Sequence, residues 1–454
     1  MSNSNALLRP SGEVLPRPRR TELRLWALGV LVGLVTGFAV VVFRSLITYS
    51  EFVFFGAVEP GLVARLPELP WWRRLGAPIL AGLLIAGVLR LGVQSGWGPS
   101  PRPYGFTDVI AARRLRGTLH STTLALRDAF LSALASILSI GAGGSGGREG
   151  PAIHLGAAMA MLPGRLFGVD LVTRRILIGM GAAAALAAVL HAPLAAVLFT
   201  REVLLPRHRL TALGPVAVAS VFGWITARGL LGPTPVLDIP AVGAAPLTFA
   251  AGALALAPVL TLLAWGAVYV WTQSSAVTLA VAERRGVPTW TLPAIGGVLL
   301  GMFCLGFPLV MGVGYTPVSA GLGGFYRIDL MLVLAFAKIA SAAVTFGFRW
   351  GGGPIAPMIY IGAMFGSVAG ALIGHAVGDA SGGQVYFGLI GMAVALTVLL
   401  EAPLFAAVLV LELSSSPETA AAALACACLA LYLVRRFAPP LPEPGEDRVP
   451  LRWR

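Results

Sequence analysis

Apolar residues run in long blocks along this chain, and polar residues mark the block ends. The blocks cover 25–49, 75–93, 126–142, 152–168, 174–190, 193–205, 211–231, 247–272, 289–306, 328–346, 355–377, 385–400, 403–413 and 418–435. Apolar runs of this kind predict helices. Several fall short of the ~20 residues that cross a hydrocarbon core. The short ones are bounded by Gly and Pro: GGREGP at 146–151, HAPL at 191–194, GGGPIAP at 351–357 and EAPL at 401–404. Helices broken at membrane depth are tolerated only where they line a cavity or lie inside protein. The pattern therefore predicts an all-α polytopic membrane protein with many tilted and broken helices.

The flanks set an expected orientation. Residues 1–24 carry Arg9, Arg17, Arg19, Arg20 and Arg24 with no apolar run leading to a cleavage site, which predicts a cytoplasmic arm. Residues 436–454 read as a cytoplasmic tail, too short for a regulatory domain. Both ends inside imply an even number of crossings of the cell inner (plasma) membrane. Composition narrows the class. Only 12% of residues are charged and 57% are apolar, against ~25% charged in a soluble domain. That excludes a soluble enzyme, a disordered chain and a disulfide scaffold. The net charge of +13 comes almost entirely from Arg, placed mostly at segment ends. This suits topology signals and anionic lipid contact, and no nucleic-acid patch is organised. Cys304, Cys426 and Cys428 sit in apolar runs without metal-ligand spacing, so no metal and no cofactor are expected.

A faint duplication divides the chain. Pro151-Ala-Ile153-His-Leu155-Gly156-Ala157 matches Pro357-Met-Ile359-Tyr-Ile361-Gly362-Ala363, 206 residues on. Ala192-Pro193-Leu194 with Glu202 matches Ala402-Pro403-Leu404 with Glu412, 210 residues on. The same order at nearly one offset predicts two related membrane repeats, 25–231 and 232–435. Repeats with broken helices place a transport site where the halves meet.

The short helices suggest the chemistry. Glycine-rich turns leading into helix starts expose free N–H groups and the positive end of a helix dipole, about half a charge. Two starts, near Glu149–Pro151 and near Ile355–Pro357, are placed to hold one small anion by partial charges. A full cation at the bilayer centre is costly and holds an anion too tightly for release. Glu149 precedes one of these starts inside an apolar chain. Ionised, it competes with the transported anion; protonated, it leaves. It thus reads as a gate and a proton acceptor, against the plainer reading of a carboxylate paired with Arg148.

These residues resemble the CLC family of chloride channels and chloride/proton antiporters, in its bacterial form without C-terminal regulatory domains. GREGP at 147–151, the stretch 179–203, GVGY at 312–315, the Lys338 segment and GGGPIAP carry the resemblance. It implies a CLC-type fold of two inverted-topology repeats, a homodimer with one pathway per subunit, and Glu149 as the gating residue. Chloride and similar anions, and protons, are the implied partners, and Pro151 after GREG fits the chloride branch better than a fluoride-selective one. The family's first filter motif, usually G-S-G-I-P, has its nearest match at Pro103-Tyr104-Gly105-Phe106-Thr107, followed by Asp108. Tyr104 there replaces a serine, and its hydroxyl can still donate. The family's C-terminal pore tyrosine is missing, since Tyr432 comes too early. Ile355 replaces the usual aromatic of the second filter motif, and Pro354 before it has no N–H. The anion-binding set implied is Tyr104, Gly105, Phe106, Arg148, Gly150, Ile355 and Ala356.

Proton coupling is the open choice. Exchangers of the family carry two successive acids after the APL helix; here Glu202 takes the first place and Val203 the second. The proton path is therefore lost, or Glu202 or His191 replaces it. For Glu202 the plainer reading is a helix-end acid paired with Arg201 or Arg207. His154 and His191 read as packing residues. Lys338, the single lysine, either sets a field near the pore or snorkels to an interface. A reading from another class is an intramembrane serine protease, with Ser145 in GGSG at 143–146 as nucleophile and His191 as base. The short pattern in a chain with 56 glycines makes chance the better account of it.

Overall fold

The computed structural model describes residues 19–94, 126–166, 171–205, 212–242 and 247–439, together with Val109. Tyr104, Gly105, Phe106 and Asp108 lie outside the described residues. The chain forms α1 (Arg19–Phe55), α2 (Gly61–Arg65), α3 (Trp71–Gln94), α4 (Leu126–Gly141), α5 (Glu149–Leu166), α6 (Leu171–Leu190) and α7 (Pro193–Phe199, continued by a π turn over Thr200–Leu204). It continues through α8 (Leu213–Leu231), α9 (Leu247–Arg284), α10 (Leu292–Gly306), α11 (Tyr315–Leu322), α12 (Ile328–Gly347), α13 (Ile355–Val377), α14 (Ala380–Leu400), α15 (Pro403–Ser414) and α16 (Pro417–Phe437). Ten of the described helices are long and apolar enough to cross a membrane. Leu31, Leu34, Val35, Phe38, Val42 and Leu46 project from α1 unburied, as lipid-facing positions do.

Two helices depart from the apolar pattern. α9 runs to Arg284, past the expected end at 272, because Thr272 and Ser274 satisfy their hydroxyls on the Val268 and Ala343 carbonyls and do not stop the helix. α11 has only eight residues, YTPVSAGL, and no apolar run announces it.

Glycine decides how the inner helices meet. Gly156 of α5 faces Gly181 of α6, and Gly362 of α13 faces Gly391 of α14; a Cβ on any of the four collides with the facing carbonyl oxygen. Close approach of this kind replaces side-chain interdigitation where lipid supplies no hydrophobic drive between helices. The result is a pair, α13 and α14, at the centre of the protein, with α14 wholly buried over its apolar window.

The hydrogen bonds between the halves repeat the sequence offset. Gly147 and Gly353, 206 residues apart, exchange both backbone bonds at 2.7 Å. Ser139 donates its hydroxyl to the Gly351 carbonyl at 2.7 Å, while Thr345 Oγ accepts from the Ser145 amide at 3.0 Å. Exchanging the halves turns one contact into the other, as an isologous interface requires. The 210-residue pair behaves likewise. Glu202 accepts from the Leu404 and Phe405 amides at the start of α15, at 3.1 and 2.7 Å. Glu412 accepts from the Leu194 and Ala195 amides at the start of α7, at 2.9 and 2.7 Å. Each half thus caps a helix of the other.

These carboxylates stabilise free helix-end donors through charge-assisted bonds. Glu202→Gln and Glu412→Gln are expected to lower stability by similar amounts, about 1.5–3 kcal/mol for a bond to a charged group. Thermal unfolding of the detergent-solubilised variants measures it. A large loss for one and none for the other contradicts the reciprocal role.

Candidate functional site

The site forms where α5 and α13 begin. In α5 the first intrahelical bond runs from the Ala152 amide to the Arg148 carbonyl, and in α13 from Met358 to Pro354. The N–H groups of Glu149, Gly150, Ile355 and Ala356 precede those bonds and are left over by their helices, while Pro151 and Pro357 have none to offer. The Gly147–Gly353 bridge holds the two starts side by side. Ile355, Ala356 and Gly150 are buried. Two dipole ends therefore meet inside the protein with spare donors and without a cation on either helix's first turn.

Glu149 lies at this meeting point and is 0% exposed. Its Oε1 accepts the Tyr315 hydroxyl at 2.5 Å. Its Oε2 is buried without a hydrogen-bond partner among the described residues. A Cβ built on Gly147 collides with that oxygen and sits 3.0 Å from the Ala356 nitrogen. Gly147 thus keeps the space in which the carboxylate reaches the start of α13. Arg148 turns away from its neighbour: its guanidinium stands 5.3 Å from the Tyr315 ring centre.

Tyr315 is delivered by a constrained loop. Gly314 before it is left-handed at φ 84°, and a Cβ there meets the Tyr360 ring at 2.7 Å. Lys338, 0% exposed on α12, donates to the carbonyls of Val310 and Gly312 at 3.0 and 2.9 Å and lies 5.1 Å from the Tyr360 ring centre. It is held inside the protein and does not snorkel. The Gly314 amide bonds the carboxylate of Glu59, whose own amide donates to Glu51 at 3.3 Å. Burial pushes the Glu59 carboxyl, which lies in the α1–α2 connection outside the spans, above the ordinary range. Arg44 of α1 faces Arg148, Tyr315 and Glu149.

The remaining predicted residues fall elsewhere. Glu202 commits both oxygens to the α15 start, and Val203 beside it is buried. Its oxygens accept from amides, and the charge of Arg201 acts on it from nearby. His191 accepts from Arg44 at 3.3 Å. The Ser145 hydroxyl has no partner among the described residues, so no serine–histidine bond forms there. His154 is buried, and Tyr432 stands exposed on α16. Sequence reasoning missed the contact of Tyr315 with Glu149. The only signal was Tyr315 itself, a buried-type aromatic after two glycines in GVGY.

Broken helices whose starts converge on a buried acid define a class of protein: a polytopic membrane transporter of small anions. A sequence profile described as voltage gated chloride channel matches residues 81–435. The chain belongs to the CLC family, and is a multi-pass membrane protein of anion transport. It is 29% identical over 387 residues to the "Voltage-gated ClC-type chloride channel ClcB" of Salmonella typhi, covering 85% of this chain and 90% of that one. Among solved structures, a slow cyanobacterial Cl-/H+ antiporter is similar with TM-score 0.76 at 22% identity, covering 92% and 95% of the two chains. A CLC-type fluoride/proton antiporter gives TM-score 0.70 at 17% identity, covering 92% and 97%. At those identities the two structures speak for the fold alone. The CLC-type, all-α polytopic fold agrees with that expected from the broken apolar runs.

Proposed function

We propose that the chain carries chloride and similar small anions through a pathway gated by Glu149, with weak or no proton coupling. The observation that carries this is the Glu149 carboxylate, buried where the free donors of α5 and α13 converge and latched there by Tyr315. An anion takes the same donors when the carboxylate is protonated and withdraws. Gly150, Ile355 and Ala356 supply amides, Arg148 adds a nearby charge, and Tyr104, Gly105 and Phe106 complete the binding set. Weak coupling is supported by two features: Glu202 is occupied as a helix cap, and Val203 offers no proton acceptor. We extend the reading to a homodimer in the inner membrane with both termini cytoplasmic. Leu194 and Leu404, unburied at the starts of α7 and α15, suit cover by a second copy.

The test is the reversal potential of reconstituted protein in a planar bilayer under a chloride gradient, with and without a pH gradient. The expected potential follows chloride alone. A displacement by the pH gradient identifies exchange and overturns weak coupling. No chloride current and no chloride flux in liposomes overturns the transport reading.

A further inference from the structure

A second concentration of positive charge lies beside the gate. Arg44 is half-buried near the middle of α1, and its Nη1 lies 3.3 Å from His191 Nε2. An arginine only donates, so His191 accepts through Nε2 and carries its proton on Nδ1. The imidazole is neutral, and the cation it faces gains no counter-charge from it. His191 sits between α6 and α7 at φ 56°, a left-handed position that a non-glycine residue adopts only under constraint. Its repeat counterpart Glu401, at φ 53°, puts its carboxylate on Arg435 at 2.9 Å. One half thus pairs an arginine with an acid where the other presents an arginine and a neutral ring.

The charges around the pair are mostly of one sign. Arg44, Arg148 and Arg228 act on the His191 ring. Arg228 is exposed on α8 and lies over Trp224, 5.6 Å from the ring centre. Arg148 also acts on Glu51 and Glu59, yet its Nε is buried with no partner among the described residues. Arg44 has Glu149 and Tyr315 on the gate side. When Glu149 is neutral, Arg44 loses the carboxylate it faces. Charged donors left half-buried without an anion are costly. An anion bound there supplies the missing charge and accepts from the guanidinium N–H groups that His191 does not use.

We propose that Arg44, oriented by His191 and with Arg148 behind it, forms an anion site distinct from the one at the Glu149 helix starts, which takes a small monovalent anion as it approaches or leaves the gate. The inference rests on the anion-transport reading. Its occupancy rises when Glu149 is protonated, since Arg44 is shared between the carboxylate and the site. The site thereby links the arrival of an anion to the release of the gate.

Chloride uptake into liposomes, measured as a function of chloride concentration, tests the role of Arg44. Arg44→Gln is expected to raise the half-saturating chloride concentration by about fivefold or more, the scale of losing one charge in a partly solvated cluster. Flux at low chloride falls more than flux at saturation. Arg44→Lys, which keeps the charge, restores most of the low-chloride flux. A merely structural arginine lowers flux equally at all chloride concentrations, and that result overturns the proposal. Crystals of the full chain carrying Glu149→Gln, grown in bromide, give a second readout that does not depend on an Arg44 variant folding. Anomalous density is expected both at the helix starts and beside the Arg44 guanidinium. Bromide at the helix starts only overturns the second site and leaves the transport reading standing. No bromide at either place, together with no flux, overturns both.

Discussion

Glu149→Gln is expected to raise chloride flux at neutral pH by about tenfold or more and to remove most of its pH dependence. The carboxylate is wholly buried, accepts the Tyr315 hydroxyl at 2.5 Å and sits against the start of α13. A hydrogen bond to a charged group contributes about 1.5–3 kcal/mol net, and ~1.4 kcal/mol is tenfold in an equilibrium. The closed arrangement is therefore favoured by at least that factor while Glu149 is ionised. Glutamine keeps the shape and still accepts from Tyr315, but it carries no charge to repel an anion or to engage two dipole ends. In the parent protein flux rises as pH falls, because protonation does to Glu149 what the substitution does permanently. Chloride efflux from liposomes at pH 7.5 and 4.5 measures both effects. Efflux from the variant that stays low at pH 7.5 and still climbs on acidification shows that another group gates the pathway.

The paired helix starts, and the acid at one of them, were legible in the sequence because helix breakage in an apolar chain is costly and rare. GGREGP and GGGPIAP interrupt runs that otherwise satisfy their own backbone. Their 206-residue spacing is the same spacing that relates Gly147 to Gly353 and Ser139 to Thr345 across the interface. The glycines of close approach, Gly156 with Gly181 and Gly362 with Gly391, carry the two offsets into the packing. Glu202 and Glu412 show where a sequence match underdetermines a role. Their equivalence was readable, but the exchange of caps between halves is a three-dimensional contact of more than 200 residues' separation. An acid near the end of one helix carries no local sign that it serves the start of another.

What stayed hidden follows a physical pattern as well. α11 is eight residues long and only weakly apolar, so no hydrophobic period marks it. The lysine that braces its approach loop is 23 residues downstream of Tyr315, on a different helix. A tyrosine in an apolar segment has many possible partners, and nothing in its neighbours names the carboxylate it meets. Without a C-terminal pore tyrosine, Tyr104 was the hydroxyl the sequence offered, and it lies outside the described residues. The hydroxyl that reaches Glu149 comes instead from Tyr315.

Tyr315→Phe is therefore expected to loosen the gate without removing it. The phenol donates to the Glu149 carboxylate and so holds it at the helix starts. Phenylalanine keeps the ring that lies beside Arg148 and the packing at the start of α11. It removes only the donated bond, about 1.5–3 kcal/mol for a charged acceptor. At ~1.4 kcal/mol per factor of ten, flux at neutral pH is expected to rise by up to about tenfold over the parent protein. Acid flux approaches the parent value, because a protonated carboxylate leaves the site in both. Combining the substitution with Glu149→Gln separates a latch from a packing role. If Tyr315 acts through the charge on Glu149, Tyr315→Phe adds little to Glu149→Gln, and the coupling energy of the cycle approaches the whole effect of the tyrosine. Two substitutions that change flux independently, or a Tyr315→Phe flux at neutral pH equal to that of the parent, assign Tyr315 to packing alone.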